Sequence, residues 1–200
     1  MLKLLVIRHG ESEADLLDVH EGRADFELTD RGHHQAEAMA KFVSENYSVS
    51  RIYCSTLKRA FQTAEHLSAA TGVELTPDER LMEFNNGLIA GLERNVVREK
   101  YPYVEVPIHE AMYEQESALE FRFRADYTLS KIISESKDGE TVAVVTHGGM
   151  INQLYRAFLR LPVDCDVYFS TGDTGVHEWR ISDGRRMVVK ANHTAHTCGI

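Results

Sequence analysis

Two short, largely aliphatic runs, each followed by a histidine and a glycine, constrain the fold of this chain more than any other feature. Residues 4–7 lead into an Arg-His-Gly turn at residues 8–10, and residues 141–146 lead into a His-Gly-Gly turn at residues 147–149. Runs of this kind fit strands that are buried on both faces of a parallel sheet covered by helices. Because open α/β sheets bind ligands at the carboxyl edge of their strands, we expect both histidines at that edge. If the two strands are neighbours, the histidines lie side by side.

The segments between and after these strands predict the helices that cover the sheet. Thr29 caps a helix that ends near Asn46, and Ser55-Thr56 caps a helix that Gly72 closes. Apolar residues at helical spacing predict two more helices, at residues 117–136 and after residue 149. The remaining elements are predicted as a loop at 13–25, strands at 51–54 and 73–76, a loop-rich segment at 87–117 with at most a short helix at 94–100, and a hairpin with strands at 175–181 and 186–191.

Length and composition limit the classes of protein to which the chain can belong. Two hundred residues suit one α/β domain, spanning residues 1–200. No apolar run is long enough to cross a bilayer and no leader segment precedes the first strand, so we expect a cytoplasmic protein. Three cysteines, Cys54, Cys165 and Cys198, are an odd number without metal-ligand spacing, which favours reduced thiols. The net charge of −9 argues against nucleic acid and membranes as partners. A small phosphorylated metabolite is compatible if basic groups gather in one pocket, and the possibility of a homodimer stays open.

The Arg-His-Gly turn contains the residue types that phosphate chemistry uses. A histidine ring nitrogen can act as a nucleophile, an arginine can hold an oxyanion through a forked pair of hydrogen bonds, and glycine allows close approach of the backbone. A turn of three residues is equally compatible with an ordinary strand end that carries a surface histidine. Further motifs are needed to decide between these two interpretations.

A set of further motifs follows in order along most of the chain. They are Arg8-His9-Gly10-Glu11-Ser12, Gly22-x-x-Asp25-x-x-Leu28-Thr29-x-x-Gly32, Cys54-Ser55-Thr56-Leu57-Lys58-Arg59-Ala60, Leu81-x-Glu83-x-x-x-Gly87-x-x-x-Gly91, Glu116-Ser117 to Arg124, and Thr146-His147-Gly148-Gly149. With these motifs the chain resembles the histidine phosphatase superfamily, the cofactor-dependent phosphoglycerate mutase-like group. The resemblance implies a three-layer α/β/α sandwich with a mostly parallel central sheet, in which the loop-rich insertion at about 87–117 covers the site.

The resemblance also implies roles for the basic residues of the site. His9 would be the nucleophile that forms a phosphohistidine, which water then hydrolyses. For this the ring must be neutral, with its other nitrogen protonated and hydrogen-bonded. Arg8, Arg59 and His147 would surround the phosphoryl oxygens and compensate their charge. Neither a metal nor another cofactor is therefore expected.

Glu83 matches the acid of the family, which protonates the leaving oxygen and then activates water. Glu79 and Glu93 lie nearby, and only the Glu-x-x-x-Gly-x-x-x-Gly frame selects Glu83 among them. The usual mutase frame after the acid, Glu-Arg-x-Tyr-Gly, reads Glu-Phe-Asn-Asn-Gly at residues 83–87. The missing arginine and tyrosine, together with the short chain, favour hydrolysis over phosphoglycerate interconversion.

Other motif positions suggest how a substrate would be held. Asp15 and Ala90 stand where the family often has asparagine and glutamate, and Asp173 stands near a position that is commonly asparagine. The tail motif His193-x-x-His196-x-Cys198 could hold a metal, although the family often ends in a similar tail without one. The substrate-binding residues are expected to be Arg8, Ser12, Asp15, Arg59, Gly148, Phe26 and Phe84, and selectivity is expected from Phe26, Phe84, Asn85, Asn86, Met112 and Tyr113.

The resemblance therefore predicts a metal-independent phosphatase, a phosphoric monoester hydrolase that acts on small phosphomonoesters through a phosphohistidine intermediate. A cofactor-dependent phosphoglycerate mutase is the alternative with the same fold. A non-catalytic phosphate-binding or regulatory module is the alternative of another class. The presence of His9, His147 and Glu83 argues against that module, because binding alone requires neither a nucleophile nor an acid.

Overall fold

Six strands form one central sheet in the computed structural model, which describes residues 1–200. The strands are β1 (Leu2–Arg8), β2 (Arg51–Cys54), β3 (Leu75–Pro77), β4 (Thr141–Thr146), β5 (Val176–Ser182) and β6 (Arg185–His193). Their order across the sheet is β3-β2-β4-β1-β5-β6. Strands β1 to β4 are parallel, and β5 and β6 form an antiparallel hairpin that joins the sheet beside β1. The predicted mostly parallel sheet is confirmed.

Helices cover both faces of this sheet. They are α1 (Glu13–Leu17), α2 (Asp30–Asn46), α3 (Lys58–Thr71), α4 (Arg94–Lys100), α5 (Ala118–Glu135) and α6 (Gly148–Leu159). Alternate residues of β1 point to opposite faces, so Leu4 and Val6 pack with α5 and α6, whereas Leu5 and Ile7 pack with α2 and α3. The predicted three-layer sandwich is therefore confirmed. None of these helices combines the length and the apolar character that a membrane-spanning helix requires.

The two helices on the α2–α3 face begin in different ways. The side chain of Thr29 accepts a hydrogen bond from the Gly32 N–H at 2.9 Å, so the predicted cap of α2 is confirmed. The predicted cap of α3 by Ser55-Thr56 is wrong. The Asp25 carboxylate reaches across from another loop and accepts the Lys58 N–H at 2.8 Å. The hydroxyl of Ser55 instead accepts the Leu57 N–H and contacts a residue of the site.

Two segments that the sequence predicts as loops contain short helices. The predicted loop at 13–25 includes the five-residue helix α1, where Asp15 accepts the backbone N–H of Ser12 at 2.8 Å. A helix of this length is too short for apolar periodicity to indicate. The segment at 87–117 contains a single 3₁₀ turn at Gly87–Ile89 and the helix α4, which matches the short helix expected there.

Candidate active site

The pairing of β1 with β4 brings the two strand-end histidines together. The strands are parallel neighbours in which Arg8 lies opposite Thr146. The residues that follow the two strands therefore leave the sheet at the same edge. The rings of His9 and His147 lie with their centroids 5.1 Å apart, and both side chains are buried. Gly10 is required at this turn because a Cβ there would lie 2.6 Å from the Gly32 carbonyl oxygen at the start of α2.

The contacts of His9 fix which ring nitrogen carries a proton. Its Nδ1 lies 2.7 Å from the carbonyl oxygen of Gly10, which can only accept, so Nδ1 is the protonated nitrogen. The lone pair is then on Nε2, to which Arg59 Nε donates at 3.3 Å. Burial and the charges of Arg59 and Arg8 hold the pKa of His9 well below its usual value of 6.5. His9 is therefore a neutral imidazole whose Nε2 can act as a nucleophile.

Two arginines flank this ring, and both already have partners. Arg59 is fully buried, and its two terminal nitrogens donate to the carbonyl oxygens of Ala24 at 3.0 Å and Gly22 at 2.8 Å. Only its Nε faces His9. Arg8 donates through Nη1 to the carbonyl oxygen of Thr171 at 3.0 Å, and the same nitrogen lies 3.4 Å from Asp173 Oδ1. Its Nε is buried without a protein partner and is thus a donor available to an anion.

A serine in the loop after β2 orients His147. Ser55 Oγ accepts the Leu57 N–H at 3.3 Å and lies 2.7 Å from His147 Nε2. We assign the Ser55 proton to the bond with His147 Nε2, the tautomer that leaves the N–H of Nδ1 available to a ligand. His147 Nδ1 then carries the ring proton, and this buried atom has no protein partner. Burial, with the charge of Arg59 as the next cause, holds the pKa of His147 well below 6.5. A neutral N–H donor therefore lies beside His9.

Glu83 lies at the N-terminus of α6, the helix that begins directly after His147. One carboxylate oxygen accepts the N–H groups of Phe84 at 2.8 Å and Met150 at 3.1 Å, and the other accepts that of Gly149 at 2.8 Å. Gly149 permits this approach, because a Cβ there would lie 2.5 Å from Glu83 Oε1. Three backbone donors and the helix N-terminus together hold the carboxylate in one position.

An ion pair between Arg124 of α5 and Glu116, which precedes that helix, fixes the segment that carries Glu83. Arg124 contacts Glu116 at 2.9 and 2.6 Å and donates to the backbone oxygens of Arg80, Met82 and Glu83 at 2.7, 3.0 and 3.2 Å. Both side chains of the pair are largely buried. The sequence motif that runs from Glu116 to Arg124 therefore acts on the site by positioning the backbone around Glu83.

A carboxylate that the sequence interpretation missed lies in the same pocket. Glu21 Oε1 lies 3.0 Å from Arg59 Nε, and Oε2 lies 3.9 Å from His9 Nε2. Ser12 is buried and its Oγ contacts both Glu21 at 2.5 Å and Asp15 at 3.1 Å. Ser12 and Asp15, which are expected to bind substrate, thus contact each other, and Ser12 also contacts Glu21. An acidic residue in a polar loop is ordinarily solvated. The only sequence signal that Glu21 belongs to the site is its position directly before Gly22 of the second motif.

The expected selectivity residues fall into two groups. Phe84, Met112 and Tyr113 line a largely apolar cavity of about 570 Å³ beneath the insertion at 87–117. Phe84 also packs edge-on against Phe121, with ring centroids 5.3 Å apart, and this contact holds it in the cavity wall. Phe84 directly follows Glu83 in the sequence, whereas Glu83 itself and the two strand-end histidines do not line this cavity.

The other expected substrate residues lie outside that cavity wall. Asn85 accepts the Gly87 N–H at 3.1 Å, and Asn86 packs against Gly22, so both stabilise the backbone around the site. Phe26 is half-buried in the loop between α1 and α2. The backbone of Gly148 lies beside Arg8, and a Cβ there would be 4.0 Å from Arg8 Nε. Ala90 ends the 3₁₀ turn at Gly87–Ile89.

The C-terminal tail is tied to the same sheet edge by aromatic and polar contacts. His193 and His196 stack on Phe42 with centroid distances of 4.5 and 5.6 Å. His196 also bonds Thr174 Oγ1 at 3.0 Å, and Cys198 is exposed. These contacts give the two histidines a packing role.

The fold and the site together define an α/β protein whose sheet edge holds a neutral histidine between two arginines. The model of the histidine phosphatase superfamily (branch 1) matches residues 4–194 of this chain. The chain is 27% identical over 201 residues to phosphoserine phosphatase 1 of Hydrogenobacter thermophilus, covering 98% of this chain and 94% of that protein. It is 34% identical over 163 residues to the 2,3-bisphosphoglycerate-dependent phosphoglycerate mutase of Cytophaga hutchinsonii, covering 76% of this chain and 74% of the relative.

A solved structure agrees with these relatives. Bacillus stearothermophilus YhfR superposes with a TM-score of 0.86 at 27% identity, covering 98% of this chain and all of the other, 100%. The chain belongs to the histidine phosphatase superfamily, as its motifs predict. This membership, together with the phosphatase among its relatives, supports the predicted enzyme class, a phosphoric monoester hydrolase.

Proposed function

We propose that this chain hydrolyses small phosphomonoesters through a phosphohistidine formed on Nε2 of His9. The observation that carries this proposal is the neutral, buried imidazole whose lone pair faces a pocket between two arginines. A neutral ring at this position is a nucleophile over the physiological pH range, since its pKa lies well below 6.5.

The first step transfers the phosphoryl group to the enzyme. The Nε2 lone pair of His9 forms the N–P bond as the bond from phosphorus to the leaving oxygen breaks, and that oxygen takes a proton from Glu83, which enters this step as the carboxylic acid. Arg8 Nε and His147 Nδ1, both without protein partners, donate to the phosphoryl oxygens and stabilise the charge that they carry in the transition state. In the second step a water molecule gives its proton to Glu83 and attacks phosphorus, and the N–P electron pair returns to His9.

The charge that these groups supply makes a metal unnecessary in the proposed reaction. Arg8 and Arg59 carry permanent positive charge, and His147 supplies a directed neutral donor. Hydrolysis is therefore expected to continue in the presence of a chelator, which is the measurement that tests metal independence.

The apolar cavity beneath the insertion suggests which part of the substrate it accepts. The candidate catalytic residues do not line this cavity, and we place the alcohol portion of a phosphomonoester there because Phe84 in its wall directly follows Glu83. The cavity volume of about 570 Å³ lies within the range of small-molecule sites. Aryl and branched alkyl phosphates should have lower KM values than compact polar esters such as phosphoserine. A Phe84→Ala variant should raise KM for the apolar esters more than for phosphoserine.

Trapping the intermediate tests the nucleophile directly. Rapid quenching with labelled substrate should give a protein-bound phosphate that is labile to acid and stable to base, and His9→Ala should give none. Label that persists in His9→Ala, or near-normal turnover by that variant, would rule out His9 as the nucleophile.

A phosphoglycerate mutase is the second candidate, and the 34% identity to the Cytophaga hutchinsonii enzyme favours it. A mutase must return the phosphoryl group to its substrate and keep water from the phosphohistidine. The Glu-Phe-Asn-Asn-Gly segment at 83–87 lacks the arginine and tyrosine of the mutase frame, which supports hydrolysis. Following both reactions on one preparation decides between them, because isomerisation of 2- and 3-phosphoglycerate faster than phosphate release would favour the mutase.

A further inference from the structure

The Glu21 carboxylate lies beside the nucleophilic nitrogen of His9. Its Oε2 lies 3.9 Å from His9 Nε2. A phosphorus atom in position for attack would lie about 3–3.5 Å from the same nitrogen, a distance similar to that of the Glu21 carboxylate. The Glu21 carboxyl group and a phosphoryl group therefore share the space between His9 Nε2 and Arg59 Nε.

Arg59 cannot accommodate both anions without a change. Its two terminal nitrogens are bound to the carbonyl oxygens of Gly22 and Ala24, and its Nε, the nitrogen that faces His9, already contacts Glu21 at 3.0 Å. A phosphoryl oxygen that approaches Arg59 thus meets a carboxylate on the same N–H group.

The balance of charge in the pocket raises the same conflict. Arg59 is paired with Glu21 and Arg8 with Asp173, so two positive charges are matched by two negative ones, while the histidines are neutral. A phosphate dianion entering this pocket would face two carboxylates with no unpaired positive charge. Asp15 on α1 faces Glu21 through Ser12, and Asp25 adds to the negative potential around Arg59, which Glu83 faces as the neutral acid of the proposed reaction.

Ser12 supplies a second, independent observation. Its hydroxyl lies within hydrogen-bond distance of carboxylate oxygens from both Glu21, at 2.5 Å, and Asp15, at 3.1 Å. A hydroxyl group has one proton to donate, so two ionised carboxylates at these distances compete for it, and neutralising one of them removes that competition.

We infer that Glu21 couples phosphate binding to proton uptake. Its carboxyl group takes one proton from solvent, ceases to compete for Arg59, and donates a hydrogen bond from Oε2 to a phosphoryl oxygen beside His9. The proton is released when inorganic phosphate leaves and the ion pair with Arg59 forms again. Burial raises the pKa of Glu21 even though Arg59 and Ser12 act in the opposite direction, which is the direction that proton uptake requires.

The inference rests on the pocket of the proposed function, but its test uses binding alone. Tungstate is the probe, because this tetrahedral oxyanion stays a dianion throughout the titration and undergoes no turnover. Between about pH 6 and pH 9 its affinity for the wild-type protein should fall about tenfold for each pH unit above the pKa of Glu21. Glu21→Gln, which keeps the shape and cannot titrate, should lose most of that slope and bind tungstate more tightly than wild type at high pH.

Glu27→Gln is the matched control. Glu27 lies in the same loop and pairs with Lys58 on the surface, so this variant has the same change of charge outside the pocket. It should keep the wild-type slope. If Glu21→Gln also keeps the wild-type slope, or binds tungstate more weakly at every pH, the inference is wrong.

Calorimetry of the wild-type protein gives a test that needs no variant. Tungstate binding measured at one pH in two buffers of different ionisation enthalpy should report uptake of a proton. Binding without proton uptake would overturn the inference and would mean that the Glu21 side chain swings out of the pocket as an anion. Proton-coupled tungstate binding by a protein that hydrolyses no phosphomonoester would leave this inference standing and overturn the proposed function instead.

Discussion

A single methyl group added at Gly149 should displace the proton donor Glu83, although no titratable residue is substituted. A Cβ at this position would lie 2.5 Å from Glu83 Oε1, whereas ordinary van der Waals contact begins at 3.4 Å. In Gly149→Ala the carboxylate must therefore move by roughly 1 Å, and a displacement of that size in a reacting group can cost about 10²-fold in rate. The movement also breaks the hydrogen bonds from Gly149 and Met150 that hold the carboxylate.

The loss should depend on the leaving group of the substrate. An alkyl phosphate needs its leaving oxygen protonated, so kcat should fall about 10²-fold in Gly149→Ala and about 10²–10⁴-fold in Glu83→Gln. An aryl phosphate needs little protonation and should lose much less. Steady-state kinetics of both variants on the two substrates measures the loss of kcat. Thermal unfolding confirms that the variants keep the fold.

A double variant shows whether Gly149 acts through Glu83. Once Glu83 is glutamine there is no acid left to displace, so Gly149→Ala/Glu83→Gln should be about as active as Glu83→Gln alone. Losses that multiply in the double variant, or a Gly149→Ala variant with wild-type activity on the alkyl phosphate, would refute the reasoning.

Three further predictions follow from the same geometry. Ser55→Ala leaves His147 Nε2 buried without a donor and frees the ring to change tautomer, so kcat/KM should fall about ten- to a hundredfold, the equivalent of ~1–3 kcal/mol, while Ser55→Thr should retain more activity. Activity should survive a metal chelator and be inhibited by vanadate, and loss of activity that a divalent ion restores would contradict this. Burial holds the pKa of His177 at about 4 and those of His9 and His147 well below 6.5, so the unfolded chain binds more protons than the folded one below 6.5. The free energy of unfolding should therefore decrease as the pH is lowered from 6.5 toward about 4. Denaturant titrations at several pH values measure it, and a free energy of unfolding that stays constant over this range would contradict the prediction.

The sheet and its two histidines could be predicted because one physical rule determines both. Aliphatic runs such as Leu4–Ile7 fit doubly buried parallel strands, and parallel strands end at the same edge. The residues that follow two such strands must then lie near one another once the strands are neighbours. That the strands are neighbours did not follow from the runs themselves, and the order of the motifs along the chain supplied it through the family resemblance.

The caps and partners of the site could not be predicted because several residues compete for the same role. Ser55 stands where a helix cap is expected, yet Asp25 from a distant loop bonds the Lys58 N–H, and Ser55 orients His147 instead. Both uses satisfy the hydroxyl group equally well, so the choice depends on which loop packs against the start of α3. This tertiary contact has no local sequence signal.

The net charge of the pocket also depends on tertiary contacts that have no local sequence signal. The motifs placed Arg8 and Arg59 beside His9, and from those residues alone the pocket would be strongly positive. Glu21 and Asp173, whose positions carry no motif signal that identifies them as partners, make it neutral. Attraction for phosphate then depends on whether these carboxyl groups are ionised, and hence on pH. Two members of the family with identical catalytic residues can therefore differ in the pH at which they bind phosphate, through acidic residues in loops that the motifs do not include.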